Sequence, residues 1–183
     1  MMKLMTAILA LVSCSPDPVP PPLKLAPGSE PMMAPQDKQD SVIKFEAPAA
    51  WVKEEPSNKM RKAQYKVPDK DKKGADAQLA LFYFGNRTDM LEENLKRWAS
   101  QMGASDPKTE VIQGKCKVHL VDLKGTYTGD QQTGPQENQR LLAAVVENAD
   151  GHWFFKLVGP AETVGPWRDD FVKMLKGAGE KKE

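Results

Sequence analysis

The sequence predicts an α+β domain in which two main helices cover a largely antiparallel sheet. Three observations support this fold class: a hairpin signal near residue 150, an amphipathic helical stripe after it, and the order of the segments before it. That order is strand, strand, helix, several strands and helix. It is typical of an antiparallel sheet with helices packed on it.

The hairpin is predicted by two apolar segments, 141–147 and 152–158, that flank Asn148-Ala149-Asp150-Gly151. Asp-Gly between two such segments is a strong short-range hairpin signal. Gly159-Pro160 ends the second segment. After it, apolar residues recur at helical spacing and predict one helix with an apolar face for the sheet: Val164, Trp167, Phe171, Met174 and Leu175.

The N-terminal part of the domain is predicted to consist of strands. Residues 42–45 form a short one, and residues 77–84 are apolar on both faces, which predicts a central strand covered on both sides. Residues 60–67 alternate and predict a half-buried strand. One of its faces carries Arg61, Ala63, Tyr65 and Val67, and the other carries Lys62, Gln64 and Lys66.

A first helix is predicted after Asp89. Asp89 and Glu92 have the spacing of a capping box, and Gly103 is suited to end the helix. Its apolar stripe consists of Leu91, Leu95, Trp98 and Met102.

A second hairpin is predicted about Gly114, with residues 109–113 and 115–127 as its strands. Residues 128–138 then form a polar loop rich in glycine and glutamine. It is the longest irregular segment predicted inside the domain, and binding residues are commonly placed on such loops. We therefore expect a binding function to be found there.

The first residues of the chain carry export signals. Lys3 precedes an apolar stretch, 4–12, that is too short to span a bilayer and is suited to a signal peptide. Leu11-Val12-Ser13-Cys14 resembles the lipobox of bacterial lipoproteins. This resemblance implies removal of residues 1–13, a thioether-linked diacylglycerol on Cys14 and a further acyl chain, such as palmitate, on its amine. The alternative is an ordinary cysteine near a plain secretory cleavage site.

Residues 14–41 are crowded with proline, which favours an extended tether over packed structure. The alternative is a Pro-rich motif that docks into another protein. Each buried methylene contributes about 0.8 kcal/mol, so two or three acyl chains hold a protein stably on a membrane. We expect the domain to span 42–177, with a charged tail at 178–183, and to be anchored to a bacterial membrane facing the periplasm or the exterior. The sequence leaves inner and outer membrane open.

Several stretches of the domain resemble a family of uncharacterised bacterial lipoproteins, over roughly residues 43–176. The resemblance is carried by Trp51, the strand Met60-Arg61-Lys62-Ala63-Gln64-Tyr65, Asn94 with Arg97-Trp98, and Phe154-Phe155-Lys156-Leu157-Val158-Gly159-Pro160-Ala161-Glu162-Thr163-Val164. The order of elements also resembles the PsbP/Mog1-type sandwich. That fold hosts accessory proteins and binding modules, so the resemblance implies no catalytic activity.

Composition excludes some classes of partner. The formal net charge is +1 with 28% charged residues, so the chain lacks the basic surface expected of a nucleic-acid-binding protein. The chain has two cysteines, and with Cys14 lipidated Cys116 has no disulfide partner within it. Cys116 is then either a buried small hydrophobe or a free thiol, and its strand context favours burial.

Catalytic and metal-binding motifs are scarce. His119 and His152 lie on separate predicted strands, and a metal site would need a carboxylate such as Glu147 to converge with them. His119 and Asp122 lie three positions apart on a strand, hence on opposite faces. We expect no cofactor, no metal and no catalytic residue.

The expected function is therefore that of a non-catalytic binding or accessory protein held at a membrane surface. Its partner is an unknown envelope protein or a small apolar ligand, and Trp51 and Phe154 are the candidate ligand face if one side of the sheet stays open. The alternatives are an extracytoplasmic hydrolase with a site built from loops and a structural component of the envelope. The oligomeric state is left open by the sequence.

Overall fold

One antiparallel sheet forms the frame of the structure, and helices lie on both of its faces. The computed structural model describes residues 43–179 except positions 86, 88, 131 and 132. It confirms the α+β fold class, with a seven-stranded sheet packed against helices. In chain order the elements are β1 (Val52–Glu54), β2 (Arg61–Val67), β3 (Ala77–Tyr83), α1 (Met90–Gln101), β4 (Thr109–Gln113), β5 (Lys117–Tyr127), β6 (Gln136–Val146), β7 (Trp153–Pro160), α2 (Ala161–Val164), a 3-10 turn (Gly165–Trp167) and α3 (Arg168–Gly177).

The last strand lies inside the sheet. The strand order is β1-β2-β3-β7-β6-β5-β4, so β7 pairs with β3 on one side and with β6 on the other. The predicted hairpin between β6 and β7 is confirmed, with Val146 opposite Trp153. Gly151 has a φ of +126° in its turn, a conformation that favours glycine. The second predicted hairpin is confirmed as β4 and β5.

Each face of the sheet carries its own hydrophobic core. Neighbouring residues of a strand point to opposite faces, so Phe154 and Phe155 of β7 belong to different cores. The α1-side core contains Leu95, Trp98, Met102, Val145 and Phe154. The α3-side core contains Trp51, Phe155, Trp167, Phe171 and Leu175. The prediction that β3 is covered on both sides is confirmed, because Leu79, Ala80 and Leu81 are all buried.

Helix α1 begins after Asp89 and ends before Gly103, as predicted, but the side chain of Asp89 does not cap it. The backbone N–H of Gly103 donates to the carbonyl of Ser100 (3.1 Å), and that of Ala104 donates to Ala99 (2.9 Å), which is a Schellman motif. The predicted capping box is wrong, because Asp89 has helical backbone angles and makes no side-chain cap. Its carboxylate instead accepts two hydrogen bonds of 2.9 Å from Arg87.

The C-terminal helical segment is interrupted near Pro166. The predicted single helix is resolved into α2, the 3-10 turn and α3. Proline lacks the N–H group that a continuous α-helix needs inside its hydrogen-bond ladder, so it is tolerated at the start of a new helical segment. The predicted apolar stripe is nevertheless buried throughout: Val164, Trp167, Phe171, Met174 and Leu175.

Three strand predictions need correction. Residues 43–45 form no strand, and Lys44 makes only an isolated antiparallel bridge with Gly179. Strand β6 begins at Gln136 rather than near residue 141, so the polar loop spans 128–135 instead of 128–138. Strand β2 has a register shift between Arg61 and Ala63, which places Arg61 opposite Phe82. Arg61 therefore does not share a face with Ala63, as strict alternation predicted.

The proposed signal peptide (1–13), the tether (14–41) with Cys14, position 42, and positions 180–183 of the tail lie outside the described residues. Among the residues that are described, no helix is long and apolar enough to cross a membrane.

Candidate functional site

The two aromatic residues predicted to form a ligand face are buried in the core. Trp51 is 6% exposed and packs edge-on against Trp167, with ring centroids 5.8 Å apart. Phe154 is 1% exposed and lies between Trp98 and Phe84. The prediction of an aromatic wall for an apolar ligand is therefore wrong, because α1 and the C-terminal helical segment cover the faces on which these rings lie.

The two histidines lie at the turn end of the central hairpin. His119 is hydrogen-bonded through Nε2 to Oε1 of Glu147 (2.6 Å), and Lys117 pairs with the same oxygen (2.8 Å). His152 is 8% exposed, its Nδ1 has no hydrogen-bond partner in the described part of the chain, and burial lowers its pKa. Glu147 thus converges with His119 as a metal site would require. Among the described residues, however, no group of three or more His, Cys, Asp or Glu is arranged to hold a metal ion.

Cys116 lies in the turn between β4 and β5 and is half-buried against the α3-side core.

Asp122 lies on the opposite face from His119, as predicted. Strand alternation places it on the α3 side, where its carboxylate accepts hydrogen bonds from Arg140 and Arg168.

A half-buried lysine on the α1 side of the sheet is the residue that sequence reasoning missed. Lys156 lies on central strand β7, opposite Ala80 of β3 and Ala143 of β6. Residues directly opposite each other share a face, so two methyl groups flank the lysine and leave room for its side chain. Its Nζ donates to Oε1 of Gln101 (2.6 Å) and to the hydroxyl of Tyr127 (2.9 Å). Both acceptors are uncharged.

Arg61 joins this face because of the register shift in β2. A β-bulge commonly redirects one side chain to the other face of a strand. Arg61 Nη1 donates to the side-chain oxygens of Gln64 (2.7 Å) and Gln78, which are again uncharged acceptors. Its buried Nε has no hydrogen-bond partner among the described residues.

Arg97 completes a group of three cations. It lies exposed on α1, and its Nη2 donates to the side-chain oxygen of Asn94. The pKa of Lys156 is lowered to about 8, mainly by burial and also by the charges of Arg97 and Arg61, whereas Asp130 acts in the opposite direction. Arg97 and Arg61 therefore each lie close enough to Lys156 to act on its charge. We call these three residues, with Gln101 and Tyr127, the Lys156 cluster.

The polar loop begins at this cluster. The backbone N–H of Thr128 donates to the carbonyl of Gln101 (2.8 Å), which ties the loop to the end of α1. Gly129 packs so closely on Tyr127 that a Cβ there would lie 2.6 Å from the phenol oxygen. Burial raises the pKa of Tyr127, so its hydroxyl stays protonated at neutral pH. The cluster is therefore adjacent to the loop in which the sequence analysis expects a binding function.

The Lys156 cluster is chemically suited to hold an anion. An ammonium group has three N–H donors, and within the described residues two of those of Lys156 find an acceptor. The hydrogen bonds described for Lys156, Arg61 and Arg97 end on amide and phenol oxygens. A carboxylate or phosphate group would add negative charge to that of Asp130 and accept charge-assisted hydrogen bonds, which are the stronger kind.

One sequence signal could have identified this site. Lys156 interrupts an otherwise apolar run, Trp153-Phe154-Phe155-Lys156-Leu157-Val158. A lysine in a strand buried on both faces is unusual unless its charge has a role or a partner. The contribution of Arg61 could not have been found in the same way, because it depends on the bulge.

Neither a protein-family model nor a curated protein matches the chain.

Proposed function

We propose that this chain is a lipid-anchored, extracytoplasmic binding protein that acts without catalysis and holds an anionic group at the Lys156 cluster. The anchor is supported by the resemblance of Leu11-Val12-Ser13-Cys14 to a lipobox and by the Pro-rich segment 14–41. Anchoring confines the domain to a membrane surface and so raises its effective concentration for partners there.

The binding proposal depends on one observation, the hydrogen-bond acceptors of the three cations. Lys156, Arg61 and Arg97 contact uncharged oxygens, although carboxylates pair with other cations elsewhere in the domain, as Asp122 does with Arg140 (2.6 Å). Asp130 offsets part of this positive charge, but three cations still exceed one carboxylate, and a net charge that is partly removed from water is unfavourable. An anionic ligand offsets this cost, so the site is more stable when it is occupied.

Anchoring is tested by intact-mass analysis of the full chain expressed in a bacterial host, beside a Cys14→Ser variant. We expect the wild-type chain to lack residues 1–13, to carry acyl chains and to sediment with membranes. The Cys14→Ser variant should be unmodified and released. An unmodified wild-type Cys14 in a soluble product would overturn the anchor and leave the binding proposal to be judged separately.

Anion binding is tested by calorimetric titration of the Cys14→Ser chain with inorganic phosphate and with citrate at neutral pH. Loss of a charge-assisted contact weakens binding by about tenfold or more, and we expect this for Lys156→Met and for Arg97→Met. The Arg97 variant guards against a folding defect, since Arg97 is exposed. Lys124→Met on the opposite face is the matched control and should bind like the parent. Equal affinities in all four proteins would refute the proposal.

A hydrolase is the second candidate, and one contact favours it. The Tyr127 hydroxyl lies 2.9 Å from Lys156 Nζ, and a lysine with a pKa of about 8 is partly unprotonated near neutral pH, as a general base must be. Turnover of ester or phosphoester substrates that is abolished by both Tyr127→Phe and Lys156→Met would support an enzyme. Binding without turnover supports the binding protein.

A further inference from the structure

A cavity of 610 Å³ lies where the tether joins the domain. It is lined by residues 44–48, by Lys115 and by residues of α3. Lys44 and Gly179 exchange two backbone hydrogen bonds of 3.1 Å beside it. The cavity thus lies at the first described residues of the domain, which residues 14–41 precede in sequence.

Positive charge dominates the rim of this cavity. Lys44, Lys115 and Lys173 line it and are exposed, while Glu46 and Asp170 supply the opposing carboxylates. Asp170 is already engaged, because it forms an ion pair of 2.9 Å with Lys70. Further positive charge lies close by, since the backbone N–H of Lys115 donates to the carbonyl of exposed Lys176 (3.0 Å).

The inner lining of the cavity is apolar. Phe45 and Ala47 are half-buried against the α3-side core, and Met174 is part of that core. A cavity with exposed lysines at its rim and apolar groups inside matches the interface of a membrane, where phosphate groups lie above ester and acyl groups. Lysine side chains also place their methylene stems along apolar surface while the ammonium group stays in water.

We infer that this cavity binds the phosphate headgroups of anionic phospholipids in the membrane that carries the anchor. The inference rests on the proposed function, because lipidation at Cys14 is what brings the domain to that membrane. The chain itself argues for this occupant: the proposed tether and its lipidated Cys14 precede the cavity residues in sequence, and Lys181 and Lys182 follow the domain in sequence. Juxtamembrane lysines are attracted to anionic lipid surfaces.

The test uses the full chain with Cys14→Ser, so that no acyl chain contributes to binding. Sedimentation is measured with vesicles of phosphatidylcholine and with vesicles of phosphatidylcholine mixed with phosphatidylglycerol. We expect binding to the mixed vesicles only, weakened by high salt because screening shortens the range of the attraction. Each lysine near an anionic surface contributes roughly fivefold in affinity. The triple variant Lys44→Glu, Lys115→Glu, Lys173→Glu should therefore lose about tenfold or more.

A matched triple variant separates the cavity from total charge. Lys53→Glu, Lys96→Glu and Lys124→Glu change exposed lysines of β1, α1 and β5 by the same amount and should leave most of the binding intact. Thermal unfolding of both triples checks their folding, and the single variant Lys115→Gln replaces the cavity triple if that protein does not fold.

Two results would overturn the inference. One is equal loss of vesicle binding in the two triple variants. The other is a Lys115-dependent response to inorganic phosphate without binding to vesicles, which would show a site for free phosphate. Either result leaves the intact-mass test of anchoring and the Lys156 titrations unaffected, so a failure here is distinguishable from a failure of the proposed function.

Discussion

Lys156 makes the stability of the domain depend on pH. Its pKa is about 8 in the folded chain, and a lysine in an unfolded chain has its ordinary value of about 10.4. Between these values the folded state releases its proton while the unfolded state keeps it. The unfolded state then binds more protons, so the free energy of unfolding rises as the pH rises through this window.

This difference predicts the behaviour of Lys156→Met. Between about pH 8 and about pH 10, the window set by the two pKa values, the wild-type chain should gain stability relative to the variant. The measurement is urea denaturation of both proteins across the window. A stability difference that stays constant with pH would show that Lys156 has an ordinary pKa, and it would remove the electrostatic argument for an anion site.

Replacement by alanine should change the free energy of unfolding in opposite directions at Gly159 and at Gly177. A Cβ at Gly159 would lie 2.4 Å from the Cβ of Ala77 on the neighbouring strand, so Gly159→Ala must push β3 and β7 apart. Overpacking of this kind costs about 1–3 kcal/mol. Gly177 ends α3, and nothing lies within 4 Å of its Cβ position. Gly177→Ala should therefore stabilise the domain by about 0.5–1 kcal/mol.

Chemical denaturation of both glycine variants measures these free energies. The sign difference is the critical result, because both substitutions add one methyl group. Equal effects of the two would mean that β3 and β7 do not approach each other as closely as the structure shows.

At the scale of elements, Asp122 on β5 links α3 to the sheet through hydrogen bonds. Its carboxylate accepts two hydrogen bonds from Arg140 on β6 (2.8 and 2.6 Å) and one from Arg168 at the start of α3 (3.1 Å). Burial of Asp122 opposes its ionisation, but the hydrogen bonds from Arg140 and Arg168 outweigh this and lower its pKa. Asp122 is therefore charged in the folded chain at neutral pH.

Replacing Asp122 by asparagine should cost about 1–3 kcal/mol at neutral pH, since two arginines lose their charged acceptor. A carboxyl with a lowered folded pKa stabilises the protein above its unfolded pKa of about 3.9, and this contribution is lost as the pH falls further. The stability difference between wild type and Asp122→Asn should therefore shrink below about pH 4. Denaturation as a function of pH tests this, with Asp106→Asn, which changes an exposed carboxylate between α1 and β4, as the control.

Local sequence patterns were sufficient to predict most elements. The turn at Asp150-Gly151, the stripe of α1 and the two apolar faces of β3 each follow from residues close in sequence, because periodicity reports which face of an element is buried. The prediction that Asp89 caps α1 failed because of a neighbouring residue. Arg87 competes for the carboxylate of Asp89, and spacing alone does not reveal that competitor.

The candidate site was not predictable in the same way. Lys156 is conspicuous within its strand, but its neighbours come from β2, α1 and β5, which lie far from it in sequence. The bulge that brings Arg61 to the same face is set by how β2 pairs with β3. Trp51 and Phe154 were assigned to an open face for a related reason, because the sequence does not specify which strands the helices cover.

At the scale of the whole molecule, the two cores share one sheet. Phe154 and Phe155 are adjacent in β7 and pack on opposite sides of it. Loss of either core exposes the backbone of the same central strands, so we expect the domain to unfold in one step.

Leu95→Ala tests this coupling in a Trp98→Phe background. The described tryptophans other than Trp98 are Trp51, Trp153 and Trp167, and all three lie in the α3-side core, so fluorescence then reports that side alone. Leu95 belongs to the other core, and a buried leucine truncated to alanine costs about 2–5 kcal/mol. The fluorescence midpoint should shift as far as the midpoint from circular dichroism. A fluorescence transition that does not move would show that the two faces unfold independently.

The pairing of β3 with β7 has a consequence for how the chain reaches its destination. Gln78 of β3 is opposite Val158 of β7, so an early strand is completed only by one of the last segments to be made. Pairings so distant in sequence give a high contact order, which slows folding because the intervening chain must first be brought together. We therefore expect the N-terminal half to have no stable native structure of its own while the rest is being synthesised. For a chain exported as we propose, this delay keeps the polypeptide unfolded and competent for translocation until its signal peptide has engaged the secretion machinery.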